Sequence, residues 1–188
     1  MEEWGIRISN TNEEIVRQFF EKNDFLVKTN LKYPVIRGDS DIDLMVLNLN
    51  PDSMNPPSNF VLSVKDLKGI EKAAIEVKGW HTERFTPSLI KNFPRILNFV
   101  SENAQDTAKL FFKTTQFKNI IVLSKLPATE KSRNQTIQFL KENGVDHVIE
   151  FKAIIEFIVK EVEMNKDYEY SEFLQTVRLL KVYGNLST

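Results

Sequence analysis

Two apolar stretches carry the residues best suited to chemistry. In "DIDLMVLN", residues 41–48, Asp41 and Asp43 head a run with Leu44 and Val46 on one side and Met45 and Leu47 on the other. Side chains alternate along a strand, so the two aspartates are expected on one face, roughly 6.6 Å apart. In "AAIEVKGW", residues 73–80, Glu76 and Lys78 share a face while Ile75 and Val77 occupy the other. Carboxylates at the mouth of a buried strand are unfavourable unless an ion pair, hydrogen bonds or a metal compensates them. Hard carboxylate oxygens suit Mg²⁺ or Mn²⁺. A lysine beside such a cation can orient a water or stabilise charge on a phosphate. Metal-dependent phosphodiester hydrolysis therefore uses the whole set. Each residue also has a structural use: Asp41 as a turn cap, Asp43 paired with an arginine such as Arg37, and Glu76 paired with Lys78.

The elements that must position these residues follow from periodicity and breakers. "NTNEEIVRQFFEKND" reads as a helix with the apolar stripe Ile15, Val16, Phe19 and Phe20, and Thr11 with Glu14 fits a capping box. Strands are expected at "FLVKTNLKY" and "DIDLMVLNL", then a proline-rich loop over residues 50–59 and a short strand at "FVLSV". After "AAIEVKGW", residues 88–112 read as helical, with Pro94 kinking or restarting the helix. "NIIVLS" reads as a buried central strand, "TEKSRNQTIQFLKENG" as a helix closed by Gly144, and "VDHVIEF" as a short strand. Two helices end the chain. This order predicts an α/β fold around a mixed central sheet flanked by helices.

Composition narrows the classes. The 188 residues suit one domain, and 41% are hydrophobic, enough for an ordinary core. Formal net charge is −1, but residues 25–141 carry net +6 between two acidic ends, which makes the middle a candidate anion-facing surface. Six glycines and no glycine-rich loop argue against P-loop and Rossmann sites. The absence of cysteine excludes disulfides, thiolate zinc sites and a cysteine nucleophile, and Ser40 has no local histidine base for a serine hydrolase. No apolar run nears the roughly 20 residues of a membrane span, and the first ten residues lack a signal-peptide core. A soluble cytoplasmic protein without membrane partners is expected.

"DIDLMVLN" followed by "IEVKG" resembles the PD-(D/E)xK nuclease superfamily, with the restriction-endonuclease-like fold. Asp43 matches the aspartate of that pattern, Glu76 its acidic position and Lys78 its lysine. The element order is similar to archaeal Holliday-junction resolvases and related small endonucleases, in which a glutamate-bearing helix precedes a three-stranded meander, followed by a helix and a further strand. The resemblance covers residues 11–125. It implies a nuclease core over residues 1–151 with a helical extension over 152–188, and a Mg²⁺- or Mn²⁺-dependent DNA endonuclease. Branched or junction DNA is one substrate that the resemblance admits. Asp43 and Glu76 would ligate the metal with the Val77 carbonyl, Lys78 would position the attacking water, and Asp41 and Glu13 would support the metal. For the helical acid, Glu13 borders the apolar stripe while Glu14 lies nearly opposite it. Ile42 stands where the pattern has proline, and no Gln-x-x-x-Tyr follows Lys78, which argues against a processive exonuclease.

Lys65, Lys68, Lys72, Trp80, His81 and Arg84 flank the motif and are candidates for holding nucleic acid: cations for phosphates, Trp80 for stacking on a base, His81 for the scissile phosphate. Each also suits an ordinary solvated or rim position, and His147, within an apolar strand, reads as structural. A homodimer is expected, because two cuts on duplex DNA favour a two-fold pair, with the last two helices as its interface. Two alternatives stay open: a catalytically inactive nuclease-fold module that binds nucleic acid or a protein partner, and a regulatory dimer without a nucleic-acid role.

Overall fold

The computed structural model describes residues 11–35 and 39–184. Five strands form one mixed sheet in the order β1-β2-β3-β4-β5, with β1 Phe25–Pro34, β2 Asp39–Asn48, β3 Lys72–Lys78, β4 Lys118–Leu123 and β5 His147–Glu150. The first three strands form an antiparallel meander, while β3, β4 and β5 run parallel. Parallel strands need crossover connections, and helices supply them on both faces. The fold is thus α/β, a five-stranded mixed sheet between two helical layers.

One layer holds α1 (Thr11–Glu21), α5 (Phe151–Glu161) and α6 (Glu172–Tyr183). Phe19, Phe20, Ile154, Ile158, Leu174 and Val177 pack there against Leu44, Val46, Ile75 and Val77. The two terminal helices therefore complete one face of the sheet. The other layer holds α2 (Pro87–Asn92), a 3-10 segment (Pro94–Val100), α3 (Glu102–Phe112) and α4 (Glu130–Glu142). Ile90, Ile96, Phe99, Ala104, Ala108 and Leu140 pack there against Met45, Ala74, Ile121 and Leu123.

Three departures from the expected elements have local causes. The stretch 88–112 is three pieces, because Pro94 cannot continue α2 and Ser101, extended at ψ 158, precedes α3. "FVLSV" makes only an isolated parallel bridge, Val61 with Val148, because the chain then coils into a 3-10 turn over Val64–Gly69. Thr11 is already the first described residue of α1, and the Glu14 carboxylate turns to Arg17 and Gln18 along the helix. The expected stop of α4 is present: Gly144 follows its C-cap at φ +86, a conformation that suits glycine.

The β1–β2 hairpin reverses its faces halfway along. Phe25 and Val27 pack with the α1 layer, whereas Leu31 and Tyr33 pack with the α3 layer; in β2 Leu44 joins the first layer and Ile42 the second. The change falls at Asn30, which sits at φ 52, and opposite it the ladder skips Asp43. Strict alternation, which would put Asp41 and Asp43 on one face, therefore does not run through Ile42. An L-residue with a branched side chain is strained at such a φ, and asparagine or glycine is tolerated. Asn30→Val should lower stability by about 1–2 kcal/mol and Asn30→Gly should change it little. Urea denaturation checks this, and equal losses in both variants would mean that the backbone at Asn30 does not govern the reversal.

Candidate functional site

The β2–β3 ladder runs from Leu47–Lys72 to Leu44–Ile75 and stops there. Beyond that point the strands part, and the Val77 N–H, which a ladder partner would otherwise satisfy, donates to Asp43 Oδ2 at 2.7 Å. The Asp43 side chain thus replaces a backbone acceptor at the fork. Glu76 lies buried in the same fork, with its Oε1 in contact with the Lys78 ammonium. Lys78 Nζ also stands 3.9 Å from Asp43 Oδ2 and 3.5 Å from the Val77 carbonyl oxygen. Two carboxylates, one ammonium and one carbonyl oxygen therefore meet where the strands diverge.

Charge in this cluster is finely balanced. Burial above all, and then the Asp43 charge, push the Glu76 carboxyl up to about 8, against the pull of Lys78. Burial works against the Lys78 charge, but Glu76 and Asp43 together hold its pKa above the usual lysine value. Glu13 contributes to the same rise, which places its carboxylate within electrostatic reach of Lys78. The Glu14 carboxylate, by contrast, is paired with Arg17. Asp41 adds its negative charge to the field at Glu76.

The exit of β3 is clamped on several sides. Asn12, in the first turn of α1, donates through Nδ2 to the Gly79 carbonyl at 3.4 Å, and its Oδ1 faces His81 Nε2 at 3.0 Å. That arrangement makes Nε2–H the donating tautomer of His81, whose ring also meets Phe151 edge-on at 4.9 Å. Ser124, just after β4, bonds the Lys78 and Trp80 carbonyls through its N–H and its hydroxyl, at 3.3 and 2.8 Å. At the outer end of the parallel strands, Glu150 pairs with Arg133 at 3.0 Å and accepts from the Leu126 N–H.

The structure separates the residues expected near the site. Asp43, Glu76, Lys78 and the Val77 carbonyl converge, with Glu13 and Asp41 in electrostatic range. Lys65, Lys68 and Lys72 do not join them. Lys72 opens β3 at the end opposite Lys78, roughly 20 Å away along the strand, and Lys65 and Lys68 lie on the 3-10 turn that feeds that opposite end. A count along the sequence placed them near because it ignores which end of the strand they enter. Lys72 pairs with Glu71 there. Trp80 has its ring against Phe85 and Phe93 and is part of the α2-side packing. His81 and Arg84 are exposed on the loop after β3. His147 is structural, its Nδ1 bonded to the Asn59 carbonyl at 2.9 Å. Arg37 lies outside the described residues.

Tyr33 is a neighbour that sequence reading missed. Its ring is buried, and burial raises its hydroxyl pKa, as do the charges of Glu76 and Asp41. A side-chain hydrogen bond from its cross-strand partner Ser40 works the other way, although among the described residues no group meets strict hydrogen-bond geometry at Tyr33 Oη. The reversal of β1 at Asn30 brings it there, and a strand pattern read at strict period two cannot show this.

Whether the cluster suits a divalent cation turns on its oxygens. Among the described residues no three His, Asp or Glu side chains gather as a ready-made ligand group. Asp43, Glu76 and the Val77 carbonyl are what the fork offers, and Glu76 Oε2 is buried without a hydrogen-bond partner among the described residues. A buried carboxylate oxygen left unpaired is unfavourable, and a hard cation or a water would satisfy it. The residues therefore fit a cation of the Mg²⁺ class.

In comparisons with family models, curated proteins and solved structures, the chain matches none. Among the described residues no helix is long and apolar enough to cross a membrane.

The Glu76 shift has a consequence for stability. Its folded pKa of about 8 lies above the usual 4.5, so the folded state binds the proton more tightly than the unfolded chain. The stabilisation is complete below about pH 4.5 and is lost as pH rises toward 8. Glu76→Gln removes this titration, so its melting temperature, relative to the wild type, should rise steadily from pH 5 to pH 8.5. Parallel melting curves for the two proteins across that range would contradict the assignment.

Proposed function

We propose that the chain is a Mg²⁺- or Mn²⁺-dependent DNA endonuclease of restriction-endonuclease-like architecture. The observation that carries this reading is the meeting of Asp43, Glu76, Lys78 and the Val77 carbonyl at one strand fork. The element order supports it: a helix bearing Glu13, a three-stranded meander, helices on one face and then a parallel strand, as the resemblance to the PD-(D/E)xK superfamily implies. Asp43 and Glu76 would hold the cation with the Val77 carbonyl, and when bound there it would polarise a phosphate oxygen and acidify a water. Lys78 keeps its positive charge at the mouth of the fork, where it orients a water or a non-bridging phosphate oxygen. The Asp43–Val77 bond fixes one carboxylate, so the protein need not reorganise it during reaction. Glu13 and Asp41 add negative charge around the cation. His81 and Arg84, exposed beside the strand exit, would meet the DNA backbone. A homodimer would deliver one such site to each strand of a duplex.

The Glu76–Lys78 contact also suits the second reading, a nuclease-fold module without activity, because a closed ion pair neutralises the carboxylate without metal. Cleavage of linear, nicked and four-way DNA with Mg²⁺ or Mn²⁺ separates the two. On the nuclease reading Lys78→Ala lowers the rate roughly 10²–10³-fold, and Asp43→Asn abolishes both cleavage and calorimetric Mn²⁺ binding. Unchanged cleavage by Lys78→Ala would defeat the catalytic assignment. Absence of Mn²⁺ binding by the wild type would favour the inactive module.

A further inference from the structure

An aromatic column rises from the core beside the strand that carries Glu76 and Lys78. Phe85 is fully buried; Trp80 stacks on it at 5.6 Å and 27°; Phe93 meets Trp80 edge-on at 5.2 Å and 80°. Phe93, at the top, is 51% exposed. Trp80 follows Lys78 by two residues and packs with the layer that covers Ala74 of the same strand. The column therefore stands on the α2 side of β3, directly past the fork.

Phe93 is held, not loose. It is the joint between α2 and the 3-10 segment, at φ −125 and ψ 67, and its N–H donates to the Leu89 and Ile90 carbonyls at 3.1 Å. Pro94 bars it from the helical region. Its ring has only two side-chain torsions, so little entropy remains to be lost on contact. Arg95 and Arg84 are exposed on either side in sequence, with Glu83 the nearby acid. Lys91 leans instead over the Phe139 ring, 5.3 Å from its centroid. Single exposed apolar residues are common on protein surfaces and need no explanation. This one differs in being rigidly buttressed by Trp80, which follows Lys78 by two residues, and in having Arg95 two residues on in sequence.

We infer that Phe93 is a stacking platform for an unpaired base, with Trp80 as its buttress, so that the site favours DNA with a bulge, flap or open junction over continuous duplex. This rests on DNA being the substrate, as proposed above. A paired base is already stacked on both faces and gains nothing from Phe93, whereas an unpaired base has a free π-face. Arg84 and Arg95 would hold the flanking phosphates whatever the sequence.

The test is binding in Ca²⁺, which replaces Mg²⁺ without supporting cleavage. A duplex with one unpaired 2-aminopurine is compared with the fully paired duplex, using anisotropy for affinity and 2-aminopurine fluorescence for stacking. The wild type should prefer the bulged DNA and quench the probe. Phe93→Ala should lose roughly 5- to 150-fold on the bulged DNA, lose the quenching, and bind the paired duplex as before. Phe93→Trp should restore both readouts. Arg95→Ala should weaken both DNAs alike and flatten their salt dependence. An equal loss on both DNAs in Phe93→Ala, an unquenched probe, or no DNA binding by the wild type would overturn the inference. So would a Phe93→Ala protein that binds both DNAs normally but sediments as a smaller species, since Phe93 would then belong to a protein interface. Stacking without cleavage would remove the nuclease reading and leave this one; cleavage without Phe93 dependence would do the reverse.

Discussion

The site depends on one hydrogen bond, from the Val77 N–H to Asp43 Oδ2. A backbone N–H buried in a sheet must find an acceptor, and where β2 and β3 part the ladder no longer offers one. Asp43 supplies it, and so a carboxylate is fixed in a place where a carboxylate is otherwise unfavourable. Everything else in the cluster is arranged around that charge. It helps to push the Glu76 carboxyl up, it helps to keep Lys78 charged, and it leaves the Val77 carbonyl beside the Lys78 ammonium.

The fork needs the sheet around it to be rigid. On one side β3 pairs in parallel with β4 along its whole length, and Ser124 ties down the Lys78 and Trp80 carbonyls. On the other side α1 brings Asn12 onto Gly79 and His81. A Cβ at Gly79 would lie 2.2 Å from the Asn12 amide nitrogen, so glycine there lets the helix and the strand exit approach. The same approach carries Glu13 toward Lys78. Phe19 and Phe20 bury against the sheet and fix the rotation of α1, and Glu14 is left to Arg17.

Buried, unpaired oxygen is the second theme of the site. Glu76 Oε2 and Tyr33 Oη are both interior and both without a hydrogen-bond partner among the described residues. Such atoms are uncommon in interiors because each loses its hydration without compensation. The two lie within electrostatic range of each other, and the Glu76 charge is one of the causes that raise the Tyr33 hydroxyl pKa.

Much of this was legible in the residues alone. Alternation and apolar runs determined that residues 41–48 and 73–78 are buried strands, and two-residue spacing put Glu76 and Lys78 on one side of β3. Those are local properties, set by the period of the extended chain. The helix stop at Gly144 and the structural role of His147 are local in the same sense. Only the tertiary structure decided that β2 and β3 part after Leu44 and Ile75, that Asn30 reverses the hairpin and brings Tyr33 inward, and that Lys65, Lys68 and Lys72 enter at the far end of β3. These depend on where a ladder ends, on a single backbone angle and on the path of a loop. None of them is encoded in a repeat that a sequence displays, because each is settled by contacts between segments distant along the chain.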